Sequence, residues 1–355
     1  MSSTDTDLVV ETVRDLLRAH EPFVLTADRP WDAGLWAALV EAGMTGVGLP
    51  EAAGGSGGEL ADAVAVVATL ARGAAAVPVA EQLLVAAPAV LAADLDLPAP
   101  DEPLSIAVDG AVTAEPRDDG DGPGSWTLTG TATDVAWAGV ARHLVVLATS
   151  PVGPVLALVD VTGRETTHAA NLAGEPRGSL VFDGVICAGA LLTDRQAAEL
   201  RARYALARAV QLSAALEQVL AWTVQYAGER VQFGRPLGRF QAVQMELAEM
   251  AGEVTAVAAL VDAAVQATER GESLVPAAAA AKVRAGAAVE VVARLAHQVH
   301  GAIGFTQEHR LHHLTRRCWS WRDEAGTELA WSRVLGEQLL ADGPDALWPA
   351  LTRVV

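Results

Sequence analysis

Hydrophobic residues near the N-terminus recur at the spacing of amphipathic helices. Between residues 5 and 97 this pattern predicts helices, separated by short breaks, over DLVVETVRDLLRAH, WDAGLWAALVEAG, ELADAVAVVATLARGA and AEQLLVAAPAVLAA. The glycines of GLPEAAGGSGGE mark a loop between the second helix and the third. We therefore expect a helical N-terminal domain over residues 1–97.

From Pro98 the pattern changes to short apolar runs separated by turn-rich, acidic segments. These runs are LSIAV, SWTLTG, RHLVVLATS, GPVLALVDV and GSLVFDGV. Short apolar runs bounded by turn residues are typical of β-strands. Residues 98–190 are therefore predicted to form a small antiparallel β domain, in which DDGDGPG, Asp118 to Gly124, is a hairpin or loop tip.

Helical periodicity returns near Leu192 and then persists. Long amphipathic patterns cover ELRARYALARAVQLSAALEQVLAWTVQYAGER, FQAVQMELAEMAGEVTAVAALVDAAVQATERG and PAAAAAKVRAGAAVEVVARLAHQVHG, and a shorter terminal one covers ELAWSRVLGEQLL. Together they predict an antiparallel four-helix bundle over residues 191–355. The expected fold class is mostly α with a small all-β middle domain.

Composition and charge exclude several classes of protein. The net charge is −19, from 25 basic and 44 acidic residues, which disfavours nucleic acid as a partner. The N-terminal sequence is acidic and amphipathic rather than typical of a secretory signal, and Arg and Pro interrupt the apolar stretches before they could span a bilayer. We expect a cytoplasmic protein without a membrane segment. Cys187 and Cys318 lack metal-ligand spacing and are expected to be buried thiols.

The segment from Tyr226 to Met250 lies between two long helical patterns. Arg230 is expected to close the first helix, Phe233 to begin a turn, and Phe240 and Gln241 to open the next helix. In one interpretation Arg230 complements the helix dipole and Phe233 is a core residue. In the other, the arginine and backbone amides are presented to an anionic ligand.

A second segment, His297 to Cys318, is rich in histidine. Its glycines, Gly301 and Gly304, permit close backbone approach, and Gln298 could donate to a ligand from a helix end. Metal binding is one interpretation of its five histidines, but the segment has no HExxH arrangement and several arginines surround it. A solvated or interface cluster is the preferred interpretation of His297, His300, His309, His312 and His313.

Four segments, in this order and spacing, resemble the acyl-CoA dehydrogenase family of flavoproteins over nearly the whole chain. They are GLPEAAGGSGG, ERVQFGRPLGRFQAVQMELAEM, QVHGAIGFTQEHRLHHLTRR and AGTE. The resemblance extends in particular to actinobacterial-type members that form heteromeric complexes. It implies a helical N-terminal domain, a β-barrel-like middle domain and a C-terminal four-helix bundle that enclose FAD and an acyl-CoA thioester.

The resemblance also implies which residues touch the cofactor. In this family the bundle of one subunit contacts the flavin held mainly by its neighbour. Position by position, the expected FAD contacts of this chain are Arg230, Gln232, Phe233, Gln298, Gly301, Gly304 and Thr327. Ala302 stands where the family has the second glycine of its Gly-Gly pair, which is a mild departure.

The family's catalytic base is missing from its commonest position. That base removes the α proton of the thioester while the flavin receives hydride from Cβ. An alignment without gaps places Ala325 at the family's glutamate, and Glu324 lies one residue earlier, where its side chain points in another direction. The family's second base position holds Tyr204 and Ala205 here, and a phenol is a poor base at neutral pH.

The middle domain departs from the family pattern as well. Members carry a flavin loop resembling TEPxxGSD after the first strand and then a Trp-x-Thr stretch. Here LSIAV is followed almost at once by the next strand, and Asp134 and Ala136 stand where the Trp and Thr are expected. A cradle for the chain's own flavin is therefore expected to be absent.

Three hypotheses follow from the resemblance. In the first, the chain is a non-catalytic partner subunit that donates bundle residues to FAD on a paralogous catalytic chain within a tetramer. In the second, it is a self-sufficient acyl-CoA dehydrogenase with Glu324 as base. In the third, it is a non-redox scaffold. The first two imply an acyl-CoA thioester, an electron-transfer acceptor protein, and a role in fatty acid or steroid side-chain metabolism.

The acidic residues near Ala325 also have a structural interpretation. Carboxylates favour the start of a helix, so Asp323, Glu324 and Glu328 could simply bias the charge there, and Thr327 is placed as an N-cap. We prefer this role for Glu328 and leave that of Glu324 open. The tryptophans Trp137, Trp319 and Trp321 could narrow an acyl pocket or pack in the core.

Overall fold

The computed structural model describes residues 3–20, 24–26, 28–117, 124–343, 345 and 348. The chain divides into two compact units, one of Met1–Leu70 with Ala75–Ala207 and one of Ala71–Ala74 with Arg208–Val355. The predicted tip DDGDGPG lies outside the described residues except for Gly124. The domain boundaries near residues 97 and 190 stay a prediction.

The N-terminal part of the first unit is helical, and each predicted helix is confirmed. Asp32 caps the second helix by accepting a hydrogen bond from the Leu35 backbone N–H at 3.0 Å. The fourth predicted helix contains a π turn, Gln82–Ala86, between two α-helical pieces. The helices are α1 Ser3–His20, α2 Ala33–Glu41, α3 Leu60–Arg72, α4 Val79–Glu81 and α5 Ala87–Ala92.

The middle part of the first unit is a seven-stranded sheet with the order β1-β4-β2-β3-β7-β5. An additional pairing joins β4 to β5, and β6 pairs with β7. All five predicted strand segments are confirmed. The strands are β1 Leu104–Ala107, β2 Gly110–Pro116, β3 Ser125–Ala136, β4 His143–Ser150, β5 Gly153–Asp160, β6 Ala169–Ala170 and β7 Pro176–Leu191.

The prediction of a wholly antiparallel domain is wrong in one respect. Strand β1 pairs in parallel with the first half of β4, and β2 pairs in parallel with β4 farther along, where Thr113 lies opposite Thr149. Thus β1 and β2 follow one another along the same edge of β4, with only Val108 and Asp109 between them. Because β1 and β2 run in the same direction along β4, the connection between them does not reverse the chain.

The second unit contains the remaining helices. The last helical region is two helices rather than the single one predicted. The unpredicted helix covers Leu311–Asp323, and its buried face lies within a sequence rich in His and Arg; that face is formed by Leu311, Leu314, Cys318 and Trp321. The elements are α6 Asp194–Glu229, which begins in the first unit, β8 Val231–Gln232, β9 Arg235–Pro236, α7 Gln241–Glu269, α8 Leu274–His300, α9 Leu311–Asp323 and α10 Glu328–Asp342. Among the described residues, no helix has the length and apolar character needed to cross a membrane.

Candidate active-site turn and exposed bundle segments

The turn between α9 and α10 carries Glu324 and Ala325, which the sequence comparison above predicts to lie next to and at the base position. Glu324 is extended, and Ala325 then takes a left-handed conformation with φ 55°, followed by Gly326 with φ 92°. A left-handed backbone is costly for a residue with a Cβ, by about 1–2 kcal/mol. The surrounding structure must therefore hold this turn in place.

Glu324 is engaged by a buried arginine. Its carboxylate lies 2.8 Å from the Nε of Arg208, and the two side chains are 9% and 1% exposed. The same guanidinium donates to Gln211 Oε1 at 2.6 Å. A carboxylate in a buried ion pair cannot accept a substrate proton without losing that interaction.

Lys282 supports the same turn from α8. It is fully buried and is the only lysine of the chain. Its Nζ donates to the carbonyl oxygens of Arg322 at 2.5 Å and Gly326 at 2.8 Å. Burial lowers the pKa of the Lys282 ammonium to about 8, and the negative charge of Glu328 opposes that shift.

The start of α10 completes the set of contacts around the turn. The Thr327 hydroxyl accepts from the Ala330 backbone N–H at 3.4 Å, and Glu328 is in the first helical turn, so the predicted N-cap and helix-start roles are confirmed. Glu328 also pairs with Arg322. The indole N–H of Trp331 donates to the Ala325 carbonyl at 2.8 Å.

The segment around Phe233 is an exposed hairpin. Strands β8 and β9 pair through Gln232 and Arg235, and Phe233 occupies the hairpin tip with φ 51° and 91% exposure. Arg230 is exposed at the end of α6, where its N–H donates to the Tyr226 carbonyl. The interpretation of Phe233 as a core residue is therefore wrong, since its ring is almost fully exposed.

A second exposed surface lies at the end of α8. Gln298 and Gly301 are exposed, and Gly304 is buried. Gly301 has φ 64°, and a Cβ added there would meet no atom within 4 Å. By contrast, a Cβ on Gly304 would lie 3.0 Å from His300 Cβ. The open space above Gly301 allows a ligand to approach the backbone closely.

Histidines of this segment pack against one another and against aromatic rings. The His300 ring stacks on Tyr226 with centroids 4.5 Å apart and meets the His309 ring at 4.8 Å. His300 Nδ1 lies 2.7 Å from the Ala296 carbonyl and must donate to it, so Nε2 is a bare acceptor, which has no hydrogen-bond partner among the described residues. No cluster of three or more potential metal-ligating residues occurs among the described residues.

Acidification is expected to destabilise the second unit through these histidines. Burial lowers the pKa of His297, His300 and His309, and burial next to His312 lowers the pKa of His313 to about 4. Groups whose pKa falls on folding bind more protons when unfolded, so the stability they contribute is full above about pH 6.5 and is lost as the pH falls toward 4. Urea unfolding between pH 7.5 and 4.5 measures this loss.

A phenylalanine substitution separates this cluster from the general effect of acid. His300→Phe is expected to flatten the pH dependence between 6.5 and 4.5, whereas replacement of the exposed His168 of the first unit should leave it unchanged. Equal pH slopes for wild type and His300→Phe would contradict the assignment.

The middle domain leaves little room for a flavin loop. The two residues between β1 and β2 replace the loop expected after the first strand, and the chain continues along the edge of β4. At the expected Trp-x-Thr stretch, Asp134 has φ 51° and Ala136 is buried. The loop and the Trp-x-Thr side chains that the resemblance implies are therefore replaced here by a short connection and by Asp134 and Ala136. Trp137 is also buried, in a small cluster with Ala76 and Ala136.

Comparisons with known proteins decide the family. The sequence model of the acyl-CoA dehydrogenase N-terminal domain matches residues 3–93, and that of the C-terminal domain matches residues 189–340. Acyl-CoA dehydrogenase IpdE2 of Mycobacterium tuberculosis is 32% identical over 308 residues, which cover 85% of this chain and 87% of that protein. The chain belongs to the acyl-CoA dehydrogenase family.

Solved structures of other acyl-CoA dehydrogenases have the same fold. The crystal structure of the ChsE4-ChsE5 complex from Mycobacterium tuberculosis contains a chain that is 27% identical, with a TM-score of 0.86 over 97% of this chain and 99% of that one. A steroid acyl-CoA dehydrogenase variant, Tcur3481-Tcur3483, is 29% identical with a TM-score of 0.84 over 96% of this chain and 98% of that one. The predicted family and fold are therefore confirmed.

Within this acyl-CoA dehydrogenase fold, the structure brings together some of the predicted residues. Glu324 and Thr327 share one turn, and Arg230 directly precedes the hairpin that carries Phe233. Gln298 and Gly301 are both exposed at the end of α8, whereas Gly304 is buried. Sequence reasoning missed the side chains that hold the turn, which are Arg208, Lys282 and Trp331. The available signals were a single lysine in an alanine-rich helix and an arginine in the apolar sequence ALARAVQL.

Proposed function

We propose that the chain is a non-catalytic partner subunit of a FAD-dependent acyl-CoA dehydrogenase. It donates residues of its C-terminal bundle to FAD that a paralogous catalytic chain holds. The substrate of the complex is an acyl-CoA thioester, which is oxidised at the α,β carbon–carbon bond, and an electron-transfer protein accepts the electrons.

The proposal rests on the buried ion pair that Glu324 forms with Arg208. Ala325 has only a methyl group at the family's base position, and the neighbouring carboxylate lies 2.8 Å from Arg208 Nε in a buried pair. Removal of an α proton needs an aligned, available base. This chain has no carboxylate at either position where the family places its base, because Ala325 occupies one position and Tyr204 and Ala205 occupy the other.

The bundle residues fit a flavin that belongs to another chain. Phe233 is almost fully exposed on its hairpin, Arg230 and Gln232 are exposed beside it, and Gly301 leaves its backbone open to a ligand. Bound FAD would serve as the acceptor of the hydride that leaves the substrate. The exposed guanidinium of Arg230 suits the anionic diphosphate of that cofactor.

The relatives favour a heteromeric complex and a steroid-derived substrate. The ChsE4-ChsE5 structure is a complex of two differently named chains, and the Tcur3481-Tcur3483 protein is described as a steroid acyl-CoA dehydrogenase. We extend both features to this chain, with a partner chain that resembles it and a CoA thioester of a steroid side chain as the substrate class.

Flavin retention by a purified complex tests the proposal. The chain alone should be colourless, and co-expression with the paralogous catalytic chain should give a yellow complex. Arg230→Ala should lower the FAD retained by that complex by about tenfold, the loss expected for one charge-assisted contact of about 1.4 kcal/mol. Arg195→Ala, at the exposed start of α6, is the matched control and should leave the FAD content unchanged.

The self-sufficient alternative predicts a different result. Glu324 is an acid one residue from the base position, which is the feature that favours this alternative. In that case the chain purified alone would be yellow and would reduce an acceptor dye with an acyl-CoA, and Glu324→Gln would abolish the reaction. That combination would overturn the partner role.

A further inference from the structure

A buried histidine adjoins the exposed end of α8. His300 is the last residue of that helix and is 3% exposed, whereas the next residue, Gly301, is exposed and has φ 64°. The His300 side chain lies against the turn that Gly301 begins, because a Cβ on Gly304 would be 3.0 Å from His300 Cβ. The imidazole is therefore next to the backbone at which an anionic ligand is expected.

The hydrogen bonds of His300 leave one ring nitrogen for a proton. Nδ1 lies 2.7 Å from the Ala296 carbonyl and donates to it, so Nε2 is a bare acceptor without a partner among the described residues. A buried polar atom without a partner is uncommon and calls for an explanation. His297 differs, because its Nε2 meets the Thr315 hydroxyl, which can either donate or accept. The contacts of His300 thus fix the atom at which a proton is added.

The groups that face His300 come from three parts of the chain. Tyr226 of α6 stacks on its ring with centroids 4.5 Å apart, His309 before α9 meets it at 4.8 Å, and His297 lies one turn earlier on α8. None of these neighbours is a carboxylate. Burial lowers the pKa of His300, the Ala296 hydrogen bond opposes that shift, and the charge of His297 adds to it. His300 is therefore neutral in the free chain at pH 7.

An anion at Gly301 meets the negative end of a long helix. Helix α8 has 27 residues, and its C-terminus carries a partial charge of about −0.5. That partial charge opposes a bound diphosphate, and the basic side chains of the last turn, His297 and His300, offset it only when they are protonated. A bound anion in turn favours the protonated form of a nearby imidazole. Stacking on Tyr226 stabilises the resulting imidazolium further.

We propose that His300 takes up a proton on Nε2 when the anionic diphosphate of the partner chain's FAD binds at the Gly301 backbone. This inference rests on the proposed partner role. The proton comes from solvent, stays on the imidazole while the diphosphate is bound, and returns to solvent when the cofactor leaves. Because the bound state holds more protons than the free state, the affinity for FAD rises as the pH falls from about 8 to about 6.5.

Flavin binding by the co-expressed complex, stripped of its flavin, tests this linkage. The dissociation constant of added FAD is measured from flavin fluorescence at intervals between about pH 8 and pH 6.5, and size-exclusion chromatography checks that the complex stays assembled. We expect the wild type to bind FAD at least about fivefold more tightly at the lower pH, since one proton per site permits up to about tenfold per pH unit.

Two substitutions remove the titrating group. His300→Asn keeps an amide N–H that can donate to the Ala296 carbonyl, and His300→Phe keeps a ring that can stack on Tyr226. Both variants should bind FAD with an affinity that stays constant over this pH interval. His168→Asn, at an exposed position of the first unit, is the matched control and should keep the wild-type pH dependence.

Calorimetry counts the protons directly. The heat of FAD binding is measured in two buffers that differ in ionisation enthalpy, and the difference gives the number of protons taken up per FAD. We expect a net uptake approaching one proton per site for the wild type and for His168→Asn, and none for either His300 variant. If neither variant assembles, the count for the wild type still decides the proposal.

The possible results separate this inference from the proposed function. A yellow complex that takes up no proton on binding FAD would overturn the role of His300 while the partner role stands. A pH dependence that survives in His300→Asn would do the same, because the proton would then be bound elsewhere. A wild-type complex that holds no flavin would overturn both.

Discussion

Replacing Arg208 by methionine is expected to destabilise the folded chain by about 3–5 kcal/mol, because the buried carboxylate of Glu324 loses the guanidinium that lies 2.8 Å away. An isolated buried charge costs far more than a pair, and methionine fills much of the arginine's volume without supplying a charge. Urea unfolding followed by tryptophan fluorescence gives this difference as a shift of the midpoint.

The double variant separates the ion pair from the packing of Arg208. Removing both charges with Arg208→Met and Glu324→Gln should recover much of the stability lost by Arg208→Met, because no ion then remains buried without its partner. We expect a coupling energy of about 1–3 kcal/mol in the double-mutant cycle. Additive losses would contradict the assignment of Glu324 to this ion pair.

The same ion pair links stability to function. In the partner hypothesis Glu324 serves the turn, so Glu324→Gln should lower the stability of the chain and leave the turnover of the complex unchanged. A carboxylate used as a base would lose turnover as well as stability in the same variant. Measuring both quantities on one preparation therefore assigns Glu324 to one role.

Much of the fold was predictable because its signals are local. Helix periodicity in α1, α6 and α8 and the turn signals around Phe233 each lie within a few neighbouring residues. The predicted turn at Phe233 follows from Gly234, which permits the left-handed backbone found there, and from Pro236, which fixes its own φ. Helix α9 was missed because its buried face is interrupted by His and Arg, which weaken the hydrophobic pattern.

The parallel pairing of β1 with β4 was not predictable from local pattern. Alternation of hydrophobic residues indicates that a segment is a strand, but the direction of its partner depends on where the chain goes next. Here the two-residue connection at Val108 and Asp109 sends β2 along the same edge of β4. The absence of a flavin loop was predicted from sequence, and its structural consequence is this continuous edge.

The residues that hold the turn between α9 and α10 lie far apart in sequence. Arg208 and Glu324 are on different helices, and so are Lys282 and Gly326. A single sequence contains no signal that joins such residues, so the turn could be aligned with the family while the side chains that shape it could not be identified. The role of Glu324 cannot be decided from the sequence alone, because it depends on the contact with Arg208.

Substitution of Lys282 by methionine is expected to cost about 2–5 kcal/mol of folding free energy, because the buried carbonyls of Arg322 and Gly326 lose their donor. Arg284→Met, two residues away on α8, is the matched control. Arg284 pairs with Glu253 at a partly exposed position, so its loss should cost less than about 1 kcal/mol. Similar losses for the two variants would contradict a special role for Lys282.

The pH dependence of the Lys282 effect has a definite sign. Burial lowers the pKa of Lys282 to about 8 in the folded chain, while in the unfolded chain it stays near its ordinary value of about 10.4. Between these values the unfolded state binds more protons, so wild-type stability relative to Lys282→Met should rise as the pH increases from 8 to about 10.4. A difference that stays constant over that interval would show that folding leaves the pKa of Lys282 unchanged, and one that falls would show that folding raises it. Either result would contradict the prediction.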